Sequence, residues 1–278
     1  MKSEEAIKRT EEGIEALIAA LEQGKSDELL RFLEFQAKFH NYSFRNCLLI
    51  AIQSPEATLV AGYKRWQGLG RFVKKGEKGI MILAPIVRRR KEEDSDADTE
   101  DSRPQERLFG FRATHVFDVS QTEGQDVPQF SQIAGHPGEK LLLLAELVRQ
   151  RGIELAYAAN LGGADGRSEG GKITIREGME PPQEFAVLAH ELAHELLHRT
   201  ERRKETTRQV RELEAEAVAF VVANAAGLNA VTRSSDYIQL YSGDKEMLIA
   251  SLDHIQRVAA EIIDELEKAV AQRETCAA

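Results

Sequence analysis

His190 and His194 stand four residues apart in the run His190-Glu191-Leu192-Ala193-His194. On a helix that spacing puts both imidazoles on one face, one turn apart, where they can reach the same metal ion. Glu191, rotated by about 100° from His190, then lies beside the open coordination position as a general base. Two ligands and a base on one rigid element is the H-E-x-x-H arrangement of a zinc hydrolase. The competing interpretation is a core helix whose histidines fall four apart by coincidence. The flanks argue against it. PPQEFAVLAHELAHELLH opens with a proline pair suited to a first helical turn and stays apolar on nearly every side. Two histidines and a glutamate in the middle of such a helix need a strong partner, and a divalent metal is one.

A catalytic zinc site takes a third protein ligand and leaves a fourth position open. His198 follows His194 by one more turn, but the three-histidine pattern has a glycine before a more distant histidine, and that glycine is missing here. His198 therefore reads as a cap, a packing residue or a support for a ligand. The next helix, VRELEAEAVAFVVANAAG, is the better source. Glu212 and Glu216 share a face at i, i+4, and two carboxylates on a mostly apolar helix call for a cation opposite them. One would bind the metal and the other would accept the free ring N–H of a ligand histidine. Glu214 points elsewhere and reads as an ordinary solvated glutamate.

HELAHELLH followed by RELEAEAVAF resembles the zinc peptidase domain of the ImmA/IrrE-like and ArdC-like proteins. The resemblance implies His190, His194 and Glu212 as ligands of one zinc or other divalent ion, Glu191 as base and Glu216 as the supporting carboxylate. Glu216 in place of Glu212 is the alternative. A peptidase also needs an electrophile for the carbonyl oxygen. Tyr237 or Tyr241, just after the glutamate helix, are the candidates, and both equally suit packing.

The first half of the chain carries a different chemistry. KRWQGLGRFVKKGEKG holds Lys64, Arg65, Arg71, Lys74, Lys75 and Lys78 against a single acid, Glu77, and Arg88–Lys91 follow. Tyr63, Trp66 and Phe72 are interleaved. Cations for phosphates and aromatic faces for unstacked bases are what single-strand binding uses; a basic sheet edge over core aromatics is the bland counterpart, with Trp66 suiting either. FHNYSFRNCLLIAIQSPEATLVAGYKRWQGLGRFVKKGEKGIMILAPI, with FDVSQTEG later, is similar to the N-terminal domain of ArdC-type antirestriction proteins. That family pairs a single-stranded-DNA-binding domain with a zinc peptidase domain. This chain departs from it in an acidic insertion at 91–106.

The elements that must position these residues follow from periodicity. Helices are expected over 6–23, 26–39, 43–54, 139–151, the two site helices and 245–273, and strands in ATLVAG, GIMILAPIV, LFGFRATHVFDVS, IELAYA and KITI. A Gly-rich turn joins the last two strands and lacks the Gly-Lys-Ser/Thr ending of a phosphate loop. The expected fold is α+β in two domains, 1–130 and 131–278, the second mainly helical with a small sheet. At 278 residues, 42% hydrophobic and 30% charged, the chain is of globular composition. Its net charge of −9 gives no overall attraction to nucleic acid, so the local basic run has to carry it. Cys47 and Cys276 suggest neither a disulfide nor a thiolate metal site. No apolar run approaches a membrane span and the first residues form an amphipathic helix, so a cytoplasmic protein is expected. The combined expectation is an antirestriction-type protein of mobile DNA, binding single-stranded DNA and carrying a zinc-dependent peptidase site for a protein or peptide. The alternatives are a non-catalytic strand-coating protein with structural zinc, and a peptidase that cleaves a repressor.

Overall fold

The computed structural model describes residues 2–89, 106–125, 138–199, 201–228 and 244–277. The fold is α+β, and its packing divides the chain into two compact units. Unit 1 comprises Met1–Ile14 and Leu48–Val127; unit 2 comprises Glu15–Cys47 and Pro128–Ala278. A single cut near residue 130 treats the chain as two consecutive stretches, whereas the units are interleaved. The cause is helix α2 (Ser26–Lys38), which buries Leu29, Phe32, Leu33 and Gln36 at helical spacing and packs on a helix of the C-terminal half.

Helices α1 (Lys2–Glu22) and α3 (Phe44–Gln53) begin and end in different units. The rest of unit 1 is β1 (Val60–Gly62), the short helix α4 (Tyr63–Gly68), β2 (Arg71–Val73), β3 (Ile80–Arg89), β4 (Glu106–Asp118), a 3-10 turn (Val119–Gln121) and β5 (Thr122–Gly124). An antiparallel sheet has the order β1-β4-β3, and β2 pairs separately with β5. Ala6, Leu49, Met81 and Leu83 form a buried cluster, with Ala113 packed against it. Gln53 stitches helix to sheet: its side-chain amide donates to the Met81 carbonyl at 2.9 Å and accepts from the Met81 N–H at 3.0 Å. Asp118 ends β4 and is almost fully buried. It accepts from the backbone N–H groups of Thr58, Leu59 and Ser120 at 2.8–3.1 Å, and so ties the start of β1 to the 3-10 turn.

Unit 2 contributes α5 (Gly138–Gln150), β6 (Glu154–Ala158), β7 (Gly166–Ser168), β8 (Lys172–Arg176), α6 (Pro181–Leu197), α7 (Arg202–Glu205), α8 (Arg208–Ala225) and α9 (Lys245–Ala277). The sheet order is β6-β8-β7, with β6 parallel and β7 antiparallel to β8. The Gly-rich stretch is therefore more than a turn. Parallel neighbours cannot be joined by a tight hairpin, and the connection from β6 to β8 lays down an edge strand of its own. Helix α6 packs on α5, α8, α9 and the sheet, with Phe185, Leu188, Ala189, Leu192 and Ala193 fully buried. The prolines Pro181 and Pro182 open it and His198 caps its end. Thr207 caps α8 by accepting the Val210 N–H. No described helix is long and apolar enough to cross a membrane.

Candidate metal centre and candidate nucleic-acid face

Helices α6 and α8 lie side by side and present four of the expected residues to one cleft. The Nε2 atoms of His190 and His194 are 3.1 Å apart. The Glu212 Oε2 lies 3.6 Å from the first and 3.5 Å from the second. Two imidazole nitrogens and one carboxylate oxygen thus converge, all within 4.8 Å of one another. Glu216 lies on the opposite side of His190, its Oε2 3.5 Å from Nδ1. Glu212 and Glu216 are about half exposed, because the shared face of α8 opens onto the cleft at Glu212 and onto a neighbouring hollow at Glu216 while its other faces enter the core.

The charges at the site are mutually adjusted. Burial disfavours a charged His190, but the carboxylates of Glu212 and Glu216 outweigh it and raise the imidazole to about 9. Hydrogen bonds to His190 and His194 hold the Glu212 carboxyl well below the usual range. Glu191 is mostly buried, and desolvation pushes its carboxyl upward against the pull of the two histidines. Such a group binds a proton more readily than a solvated glutamate does, which suits a base that must hold and then release one.

Glu214 is not a solvated glutamate. It is fully buried, its carboxylate facing His198 Nε2 at 2.9 Å and the Arg202 guanidinium. Arg202 also donates to Ser251 Oγ at 3.0 Å. Burial alone would raise the Glu214 carboxyl, but hydrogen bonds from His198, Arg202 and Ser251 hold it at about 2. Because a carboxylate only accepts, His198 donates from Nε2. Burial lowers the His198 pKa and so favours the neutral ring, in which Nδ1 is an acceptor. That atom lies 3.0 Å from His194 Nδ1, which must carry the proton between them. The His194 Nε2 lone pair then faces His190 and Glu212. His198, which caps α6, thereby also sets the tautomer of a candidate ligand.

Glu195 is a further residue to which the sequence pattern assigns no role, although it follows Glu191 at i, i+4. It is buried and accepts from the N–H groups of Gly170 and Gly171 at 2.9 and 2.7 Å and from Ser168 Oγ at 2.6 Å. It fastens the β7 edge to α6. Gly166 permits that approach: a Cβ there would lie 2.6 Å from Glu191 Oε1 and 2.7 Å from Val187 Cγ1. The cleft, about 720 Å³, runs between this edge and α8. On the other side of His190 and Glu191 is a second hollow of about 420 Å³, walled in part by Ala186, Val187, Ala219 and Phe220. Tyr237 and Tyr241 lie outside the described residues.

In unit 1, Lys64 and Arg65 on α4 and Lys74, Lys75 and Lys78 after β2 are exposed. Arg71 is engaged structurally, donating from Nε to Thr122 Oγ1 at 2.8 Å, from Nη2 to the Thr122 carbonyl at 3.1 Å and from Nη1 to the Gln125 carbonyl. Lys74 donates to the Ser120 carbonyl at 2.8 Å. For Trp66 the structure corrects the expected role. It is completely buried, and its indole N–H donates to the Phe117 carbonyl at 2.9 Å, so it has no face to offer a base. Tyr63 and Phe72 are exposed, as are Phe109 and Phe111 on β4, which lie outside the basic run. The i, i+2 spacing of the last two is their signal in the sequence, and β4 bulges at Phe109. Most of the acidic insertion at 91–106 lies outside the described residues, as do Arg90 and Lys91.

Residues 5–117 match the model of the N-terminal domain of anti-restriction factor ArdC, and residues 153–242 match that of the IrrE N-terminal-like domain. An uncharacterized protein of Bacillus anthracis, pXO2-81, is 24% identical over 290 residues, covering 88% of this chain and 49% of that protein. The chain thus spans about half the length of the curated relative it matches. The metal-free crystal structure of antirestriction protein ArdC from plasmid R388 superposes with a TM-score of 0.55 at 17% identity, covering 94% of this chain and 98% of that one. Its Mn(II)-bound form gives 0.53 at 17% identity, with 93% and 97% covered. Domain models and superposition agree in order and extent: the chain has the two-domain architecture of ArdC-type antirestriction proteins, an ArdC N-terminal domain followed by an IrrE N-terminal-like domain.

Proposed function

We propose that this is an antirestriction-type protein of mobile DNA that binds single-stranded DNA through residues 1–130 and hydrolyses peptide bonds at a metal site in residues 131–278, acting in the cytoplasm. The observation that carries the peptidase reading is the convergence of His190, His194 and Glu212 beside Glu191 in an open cleft. The donor set fits a divalent cation: two ring nitrogens 3.1 Å apart face one carboxylate oxygen, the three protein donors that a catalytic site takes while leaving a fourth position open. Zinc suits two imidazoles and one carboxylate, and manganese, bound by R388 ArdC, accepts the same donors. When bound, such an ion supplies a Lewis acid that polarises a carbonyl and acidifies water. His190, His194 and Glu212 would hold it, with Glu216 orienting His190 and His198 orienting His194. Glu191 takes the proton from the attacking water and returns it to the departing amine nitrogen. The β7 edge lies alongside, with backbone groups available to an extended chain. Tyr237 or Tyr241 would aid the carbonyl oxygen.

For DNA, Lys64, Arg65, Lys75 and Lys78 supply phosphate contacts, with Lys74 and Arg71 as supporting cations. Tyr63, Phe72, Phe109 and Phe111 replace Trp66 as stacking surfaces. The deciding experiment is Glu191→Gln. Because the ligands are untouched, the variant is expected to retain about one equivalent of metal. It should lose cleavage of candidate proteins presented with and without single-stranded DNA. If the variant protects DNA from restriction as well as the parent does, the protein acts as a strand-coating module and its metal site is structural. If the untreated protein holds no divalent ion, the metal reading fails altogether.

A further inference from the structure

We infer that the cleft beside the metal centre selects acidic polypeptide segments, an inference that rests on the peptidase reading and names its substrate class. The whole chain carries a net charge of −9, yet this cleft is lined by Arg167, Arg199, Arg203, Arg208 and Arg211. They approach from separate elements: Arg167 from the β7 edge, Arg199 and Arg203 from the segment after α6, and Arg208 and Arg211 from the first turns of α8.

The carboxylates on the same walls do not cancel them. Glu195 is spent on the Gly170 and Gly171 N–H groups and Ser168. Glu212 and Glu191 are committed to the histidines and to proton transfer. Among the described lining residues Glu169 remains, 3.8 Å from Arg167. Two further pairs are loose, Arg199 to Glu195 at 3.6 Å and Arg208 to Glu212 at 4.0 Å. Arg211 donates to the Arg203 and Thr206 carbonyls, neutral acceptors that leave its charge standing. The Arg167–Glu169 and Arg208–Glu212 pairs join exposed groups and are easily exchanged for a better acceptor, while Arg199 is about half exposed beside its buried partner. Guanidinium groups grip carboxylates in a bidentate fork, and an excess of one sign of uncommitted charge along a cleft concentrates ligands of the other.

A nucleic-acid strand would also meet these cations. However, among the described residues no Phe, Tyr or Trp lines the cleft, so bases meet no stacking surface there. The wall beside Glu191 is instead a strand edge, whose N–H and C=O groups pair with an extended polypeptide. Carboxylate side chains on a polypeptide satisfy both features at once.

The test uses full-length Glu191→Gln protein loaded with zinc, so that binding is read without turnover. Labelled peptides of alternating glutamate and alanine, glutamine and alanine, and lysine and alanine are compared by fluorescence anisotropy, with oligothymidylate as competitor. The glutamate peptide should bind at least about tenfold more tightly than the glutamine peptide, the gain expected from charge-assisted hydrogen bonds, and lose that margin as salt rises. Arg167→Glu with Arg203→Glu, both exposed, should abolish the preference while metal content and the thermal transition stay unchanged. Equal affinity for the glutamate and glutamine peptides in zinc-loaded protein overturns the substrate class and leaves the peptidase reading standing. Displacement of the glutamate peptide by oligothymidylate, lost in the same double variant, overturns it in favour of a nucleic-acid groove. Failure to take up zinc overturns the peptidase reading beneath it.

Discussion

Glu212, Glu214 and Glu216 look alike in the sequence and have three different fates. The i, i+4 pair is legible as a shared face turned to a cation, and Glu212 indeed lies by the two Nε2 atoms and Glu216 by His190 Nδ1. Glu214 is not legible. It lies between the two, on the side of α8 that enters the core, and its partners Arg202 and Ser251 come from 12 and 37 positions away. No local pattern announces a partner that distant. Trp66 is illegible for the same reason, since its acceptor is the Phe117 carbonyl across the unit. The buried pair makes Glu214→Ala a severe change: an unpaired Arg202 should cost about 3–5 kcal/mol of unfolding free energy, measured by denaturant titration. With Glu214 gone, His198 loses the acceptor that fixes its tautomer and His194 is no longer oriented. Metal affinity, read by competition with a chelator, should fall about 10- to 100-fold in whatever protein remains folded.

At the scale of elements, the short β7 edge and the β4 corner are the places where small changes matter. Gly166 lets β7 lie directly against α6, and an added Cβ would collide with Glu191 and Val187. Gly166→Ala should therefore move Glu191 or the strand and, on the proposed peptidase reading, lower cleavage at least about tenfold, as expected when a catalytic group is displaced by a fraction of an ångström, with metal content unchanged. Normal cleavage by this variant would show that the approach of β7 to Glu191 is not needed. In unit 1, Asp118 plays the corresponding organising role. Burial would raise its carboxyl, but the Ser120, Thr58 and Leu59 N–H groups together bring it below its ordinary value near 3.8. A lowered folded value means that its contribution is complete above that ordinary value and is lost as pH falls toward the folded one. Thermal denaturation of the parent should show this acid loss. Asp118→Ala should remove it and cost about 3 kcal/mol at neutral pH, the order of several buried N–H groups left without an acceptor. Helix and strand positions are largely legible from periodicity. Strand β7 is hidden, because three residues among glycines carry no period-2 signal.

At the scale of the molecule, charge is distributed against its own sum. An acidic chain keeps exposed cations at Lys64, Arg65, Lys75 and Lys78, and on the proposed reading each answers one phosphate. Removing Lys75 and Lys78 together should flatten the salt dependence of single-strand binding by about 0.7 for each phosphate that is no longer neutralised, across sequences alike. A slope unchanged by the double variant would place the DNA elsewhere.

The interleaving of the two units has a consequence for how such a protein can change over generations. Residues 15–47 are written in the N-terminal half but belong to the unit that carries the candidate metal centre. Genes can trade parts by crossing over at one point. A crossover near residue 130 would give unit 2 a foreign α2 to pack on α8. Only partners whose α2 already fits would survive the exchange, so the two halves of this chain are bound to be inherited as a matched pair.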